Sequence, residues 1–291
     1  MMKGRILRGI GGFYTVKGED GQAYTLRAQG KLRRQRVTPT VGDFVEFEPV
    51  PAGEEGWIGA ILPRKNALIR PPVSNIDCLV VTVSAANPKA DLGMTDMLLY
   101  LARKADIEPL LVINKADEDA AEAEAIRAQY AQACPVFVVS ARTGEGLAPL
   151  REALKHTAHA FGGQSGVGKS TLINALYGTS LTTGSLSEKI ERGRHTTRKC
   201  ELLEIGDNLV LDTPGFSLLE MDAEEPLEVP KRYPEFAPYA GKCRFEPCAH
   251  DKEPGCAVRA AVAAGAIDSE RYARYQALFE EMSHKWRDRY G

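Results

Sequence analysis

Hydrophobic positions change their spacing twice along these 291 residues. Up to about residue 70 they come in short groups. Residues 5–16 are rich in Ile, Leu, Phe and Tyr, and a polar turn follows at Gly18-Glu19-Asp20-Gly21. Residues 24–28, 43–50 and 57–62 make further candidate strands. Closely spaced strands with Gly/Pro punctuation predict a small barrel or sandwich. An OB-type barrel is the first expectation, with an SH3-like barrel left open by the pattern. From about 75 to 220 the runs become continuous and β-branched, at 79–83, 110–113, 136–139 and 209–211, with helical periodicity between several of them at 94–104, 120–133 and 147–156. Strands buried on both faces and alternating with helices predict a doubly wound α/β domain. Ligands of such sheets lie at the carboxyl ends of the strands. From about residue 222 no strand pattern is strong, and 257–264 and 269–285 read as helices. The expected division is therefore 1–70, 71–221 and 222–291.

Charge adds to the picture of the first segment. Residues 1–70 hold 12 Lys/Arg against 7 Asp/Glu, and Lys31, Arg33, Arg34 and Arg36 cluster within it. Phosphate backbones bind such clusters electrostatically; a solvated charged face is the plainer alternative. No apolar stretch follows Met1, so no secretory leader is expected, and no apolar run is long enough to span a membrane. Of six cysteines, three (Cys78, Cys134, Cys200) are scattered and three crowd between 243 and 256. That usage fits a reducing cytoplasm and one metal cluster better than a disulfide framework.

The chemistry begins at Gly163-Gln164-Ser165-Gly166-Val167-Gly168-Lys169-Ser170, a G-x-x-x-x-G-K-[ST] phosphate loop, with Thr171 next in line. Its glycines let the backbone wrap an anion with successive N–H groups, and the helix predicted over 169–176 aims its positive end at the phosphates. Lys169 then reaches the β- and γ-phosphates and Ser170 ligates Mg²⁺. The segment ahead of the loop, 156–161, reads HTAHAF, which predicts a short or irregular strand. The apolar run 209–211 ends in Asp212-Thr213-Pro214-Gly215. There Asp212 can hold the Mg²⁺ shell through water, and the Gly215 N–H can meet the γ-phosphate. Asn114-Lys115-Ala116-Asp117 follows the strand at 110–113. The Asp117 carboxylate can accept from the N1–H and 2-amino group of guanine, a donor pair adenine lacks. Asn114 ties this loop to the phosphate loop, and Lys115 packs on the base plane. Ser140-Ala141, ending the strand at 136–139, lays backbone N–H groups against the base oxygen.

These motifs run in rotated order. The base loop comes first, then Ser140-Ala141, the phosphate loop, a threonine near 197, and Asp212-x-x-Gly215. A doubly wound sheet tolerates such a circular permutation because its termini lie close together. Cys243-x4-Cys248-x-His250-x5-Cys256 supplies three thiols and an imidazole within fourteen residues. That set suits a closed, structural, tetrahedral zinc site.

With the rotated order, GQSGVGKS, Gly193-Arg194-His195-Thr196-Thr197, DTPG and the Cys/His cluster, the chain resembles the circularly permuted, small-ribosomal-subunit-dependent GTPases of bacteria over essentially its whole length. The resemblance implies an N-terminal OB-type β-barrel that binds RNA, a central permuted P-loop GTPase domain and a C-terminal, mainly helical zinc domain. It also implies a cytoplasmic, monomeric GTPase acting late in small-subunit maturation, slow alone and stimulated by the subunit. Thr197 best matches the Mg²⁺-binding switch threonine, with Thr196 as the alternative. Residue 216 is Phe, where many GTPases place a water-orienting Gln, so His195 becomes the candidate for that task. Two competing readings are an RNA-binding protein switched by GTP with negligible turnover, and a P-loop ATPase. Asp117 opposes the ATPase.

Overall fold

The computed structural model describes residues 1–30, 32, 38–51, 54–68, 72–179, 200–212 and 224–289. The first strands are β1 (Met2–Ile10), β2 (Phe13–Gly18), β3 (Ala23–Ala28), β4 (Phe44–Phe47) and β5 (Glu55–Ile61). What reads in sequence as one strand over 5–16 is a hairpin. Gly11 and Gly12 take φ of +60° and +85°, and Ile10 pairs with Phe13 across them. Two left-handed residues in a two-residue loop match the twist of the flanking strands. The five strands close in the order β1-β2-β3-β5-β4-β1, with β3 and β5 parallel. This is the OB arrangement rather than the SH3-like one. Ile6, Val16, Leu26, Val45, Phe47 and Ile58 fill the barrel and are fully buried. A short hairpin, β6 (Ala67–Leu68) with β7 (Val73–Ser74), follows. Buried Asp43 accepts from Arg64 Nε (2.6 Å) and Nη2 (2.8 Å) and from Ser74 Oγ (2.6 Å), fastening this hairpin to the barrel.

The central domain runs β8 (Cys78–Ser84), α1 (Leu92–Lys104), β9 (Glu108–Asn114), α2 (Ala120–Tyr130), β10 (Val136–Val138), α3 (Leu147–Ala153), β11 (Ala158–Gly162), α4 (Lys169–Tyr177), β12 (Glu201–Ile205) and β13 (Asn208–Asp212). The sheet order is β10-β9-β8-β11-β13-β12, parallel except for β12. Every residue of β8 is buried. Leu79, Val81 and Val83 face one core, and Cys78 and Val80 face the other. Successive side chains thus serve opposite faces of a sheet covered on both sides.

Within HTAHAF the strand begins at Ala158: His156, at φ +59°, lies in the turn before it, and β11 is a five-residue central strand. All five residues of β11 are buried between β8 and β13. Its polar member is accommodated by partners distant in sequence. His159 Nδ1 lies 2.9 Å from Thr157 Oγ1, and Nε2 lies 2.7 Å from Tyr177 Oη at the end of α4. Burial pushes the imidazole down to about 4, so it is neutral, and two hydroxyls satisfy one donor and one acceptor. Strand β12 has no counterpart among the sequence expectations. It pairs with β13 and, at Glu201 opposite Arg8, with β1, which joins the barrel to the central sheet.

Beyond residue 224, two 3-10 helices (Pro226–Arg232 and Pro234–Tyr239) precede α5 (Ala257–Ala263) and α6 (Ser269–Asp288). Val229, Tyr233, Phe236, Val258, Tyr275 and Met282 form their core, and α1 adds Tyr100 and Leu101 to it. Among the described residues no helix is long and apolar enough to cross a membrane.

Candidate functional site

The phosphate loop leaves the carboxyl end of β11 and enters α4. Two of its glycines are enforced by close approach. A Cβ on Gly163 (φ +128°) would stand 2.1 Å from Thr82 O, and one on Gly168 (φ +92°) 2.5 Å from Asn114 Nδ2. Val167 is buried, Ser165 and Gly166 are exposed, Ser170 is half-buried and Thr171 exposed on the first turn of α4. Lys169 Nζ donates to Gly163 O and Gln164 O, both at 2.7 Å. Burial pushes this ammonium down to about 8. The loop carbonyls hold the lysine folded over the concavity where a phosphate chain would lie.

The base loop leaves β9 beside it. Buried Asn114 donates through Nδ2 to Val167 O (2.9 Å), and its Oδ1 accepts from Ala141 N (3.0 Å). One side chain therefore joins the base loop, the Ser140-Ala141 turn and the phosphate loop. Lys115, at φ +62°, donates through Nζ to Asn87 O (2.5 Å) and Gly166 O (3.0 Å). Buried Ser140 accepts from Thr143 N at 3.1 Å, which shapes the second base turn.

Asp117 has a partner that the motifs do not announce. Its Oδ2 accepts from Arg142 Nε at 2.9 Å and from Nη2. Ser140 and Arg142 together hold the carboxyl below its ordinary range, so it is ionised at neutral pH. The usable sequence signal was position alone: Arg142 directly follows the Ser140-Ala141 pair. Replacing Asp117 with alanine removes the sole carboxylate acceptor at the base edge among the motif residues. We expect GTP affinity to fall at least about tenfold with the melting temperature nearly unchanged; a calorimetric titration showing equal affinity would place the base elsewhere.

Strand β13 runs parallel to β11, with Leu211 opposite Ala160. Its last residue, Asp212, is thereby set at the sheet end from which the phosphate loop departs. His195, Thr196, Thr197, Gly215 and Phe216 lie outside the described residues, as do Lys31, Arg33, Arg34 and Arg36 of the basic cluster.

The Cys/His cluster lies apart, ahead of α5. Sγ of Cys243, Cys248 and Cys256 and a ring nitrogen of His250 all fall within 4.8 Å of one another. Tetrahedral Zn–S and Zn–N bonds require about 3.8 Å between two sulfurs and about 3.6 Å between sulfur and nitrogen. Cys243 and Cys256 Sγ stand 3.9 Å apart, and His250 Nδ1 is 3.5 and 3.4 Å from them. The donor set fits one zinc ion. The loop is shaped from outside the cluster. The Glu253 carboxylate accepts from Ala249 N (2.7 Å) and Asp251 N (2.9 Å), and Tyr272 Oη donates to His250 O (2.7 Å). Metal analysis should find about one zinc per chain. Cys248→Ala should release it and open 240–260 to protease while leaving GTP affinity within about twofold, since metal binding carries folding free energy here. An intact, protease-resistant loop without metal would contradict this.

The architecture and these loops define a circularly permuted P-loop GTPase. Residues 61–222 match the RsgA GTPase family and residues 3–58 the RsgA N-terminal domain. Curated relatives named small ribosomal subunit biogenesis GTPase RsgA include those of Caldanaerobacter subterraneus subsp. tengcongensis and Moorella thermoacetica. Both are 43% identical, over 99% and 97% of this chain and 98% and 97% of theirs. Among solved structures, YjeQ from Thermotoga maritima superposes with a TM-score of 0.84 at 33% identity, over 97% of this chain and 98% of that one. YloQ, described as a circularly permuted GTPase, gives 0.81 at 32%, over 98% and 96%. The chain belongs to the RsgA GTPase family and is a GTP hydrolase.

Proposed function

We propose that this chain hydrolyses GTP in the biogenesis of the small ribosomal subunit. The observation that carries the nucleotide reading is the Asn114 side chain, which binds the phosphate loop at Val167 and the base turn at Ala141 at once. The names borne by its relatives carry the subunit. In this reading Asn114, Lys115, Asp117, Ser140 and Ala141 hold guanine, and residues 163–171 hold the phosphates. Ser170 and Thr197 ligate Mg²⁺, and Asp212 supports it through water. Gly215 meets the γ-phosphate and His195 orients the attacking water. When bound, Mg²⁺ neutralises charge between the β- and γ-phosphates. Residues 1–70 contact ribosomal RNA, 71–221 process the nucleotide and 222–291 are held by zinc. The chain works as a monomer in the cytoplasm, where its substrate particle is assembled.

The test is GTP turnover with small subunits, with large subunits and alone. Stimulation by the small subunit and not the large one is expected. Turnover indifferent to both, with GTP-dependent subunit binding, would instead favour a switch that does not hydrolyse.

A further inference from the structure

The outer face of the barrel carries a row of side chains that nucleotide binding does not use. Ile10 on β1 is paired with Phe13 on β2, Phe13 with Arg27 on β3, and Arg27 with Trp57 on β5. Directly opposed residues of neighbouring strands share a face, so the four stand in one line across four strands. Leu26 and Ile58, the next residues along β3 and β5, are fully buried, which fixes the line as outward-facing. Trp57 is 53% exposed and Ile10 38%. The Arg27 guanidinium lies 4.1 Å from the Phe13 ring centroid. Of the five large apolar side chains exposed among the described residues, four (Met1, Ile10, Phe44 and Trp57) are on the barrel. Apolar surface is thus left open in the segment that also carries the chain's excess of positive charge.

The adjacent outward row is polar: Arg8 opposite Thr15, Thr15 opposite Thr25, and Thr25 opposite Glu55. Arg27 pairs with Glu55 at 2.9 Å, and Arg8 with Glu201 at 3.6 Å, with all four side chains about a third to a half exposed. Exposed ion pairs of this kind are worth little, so a phosphate can replace either carboxylate. The half-exposed Trp57 ring stands one strand spacing, about 4.8 Å, from Arg27, whose guanidinium is itself stacked on Phe13, and this pairing offers what unpaired nucleotides require: planar faces for bases and cations for the backbone. A duplex offers its phosphates but not its base faces.

We propose that Phe13, Arg27 and Trp57 form a stacking platform for unpaired RNA bases. Trp57 supplies the open ring, and Phe13 supports the Arg27 guanidinium, which lies over its face, as a second planar surface. The proposal rests on the reading that the chain meets ribosomal RNA, and it says which form of RNA the barrel takes. The chain has two tryptophans, so a Trp286→Phe background isolates the emission of Trp57. A 12-nucleotide unpaired RNA should quench that emission, and a blunt-ended 12-base-pair RNA duplex should not. Trp57→Ala should weaken binding of the unpaired RNA about tenfold, in line with the loss of one base–ring stack, and Phe13→Ala, which removes the support of Arg27, should weaken it by less. Trp57→Phe should restore most of the affinity, and Arg27→Gln should reduce the salt slope by about one. Melting temperature and subunit-free hydrolysis should match the parent, because the row faces away from both cores. Absence of quenching, equal affinity of Trp57→Ala, or equal response to the duplex overturns the platform. Small-subunit stimulation of the parent, measured separately, tests the proposed function and can stand where the platform falls.

Discussion

GTP hydrolysis by a Lys169→Ala variant is expected to fall by about 10²–10³-fold, the loss seen when a pre-aimed charge is removed from a reacting centre. The lysine is held over the phosphate loop by two carbonyls, Gly163 O and Gln164 O, so its ammonium need not be reoriented to meet a phosphate. The same burial makes the site sensitive to pH. With its pKa lowered to about 8, the lysine loses its proton in the free protein as pH rises through 8, and a triphosphate binds the protonated form. Affinity should therefore be flat below about pH 7 and fall as pH rises, reaching roughly tenfold weaker binding at pH 9 by linkage. The effect on stability has the opposite sign. Between this folded pKa and the ordinary value for lysine the unfolded chain holds more protons. The group thus favours the nucleotide-free fold increasingly as pH rises over that window. Calorimetric titrations at pH 7 and 9, in buffers of different ionisation heat, should show proton uptake at the higher pH. Equal affinities with no proton uptake would mean that Lys169 does not bear on the phosphates.

The nucleotide loops were readable in sequence because each is local. A run of glycines, or four residues following a buried strand, carries its own geometry, and alternating apolar runs carry the sheet. What escaped notice depends on residues far apart. His159 looks wrong for a central strand until Tyr177, from the helix beyond the phosphate loop, supplies its second hydroxyl. Strand β12 is five residues long and takes its place from β13 and from Arg8 on the barrel. Gly11 and Gly12 sit inside a stretch whose composition reads as one strand, and they reverse it. The 3-10 helices contain Pro230 and Pro238, which interrupt the helical period that sequence reading relies on. Arg142 was unreadable for a different reason, since an arginine after a turn has no signature until Asp117 is seen against it.

The joint between the central domain and the C-terminal helices is the strongest case of this kind, and it carries the largest expected effect on stability. Arg271 on α6 is 3% exposed and lies 175 residues from its partner Asp96 on α1. Its Nη1 is 2.5 Å from Asp96 Oδ1 and its Nε is 2.6 Å from Glu235 Oε1. Arg274 Nε takes the other Asp96 oxygen at 2.6 Å, and Tyr130 Oη donates to Oδ1 at 2.5 Å. The Arg271 guanidinium stands 5.0 Å from the Tyr130 ring and 5.1 Å from that of Tyr233. Burial works against this cation, but Asp96 and Glu235 outweigh it, and its pKa lies above the ordinary value. Arg271→Ala takes from buried Glu235 the cation it is hydrogen-bonded to, leaving only the more loosely coupled Arg103, while its Oε2 already lacks a partner. Breaking one side of such a buried set should cost about 3–5 kcal/mol. Lysine keeps the charge but lacks the planar fork that meets Asp96 and Glu235 from separate nitrogens, so Arg271→Lys should recover part of this and no more. Removing both charges in Arg271→Met/Glu235→Gln should cost less than Arg271→Met alone, because Asp96 keeps Arg274 and Tyr130. Urea unfolding of the parent and the four variants gives the comparison. If Arg271→Met unfolds like the parent, or the double variant is worse than the single one, then apolar contacts such as Tyr100 and Leu101 against Tyr233 and Tyr275, rather than the buried charges, hold the C-terminal helices to the GTPase domain.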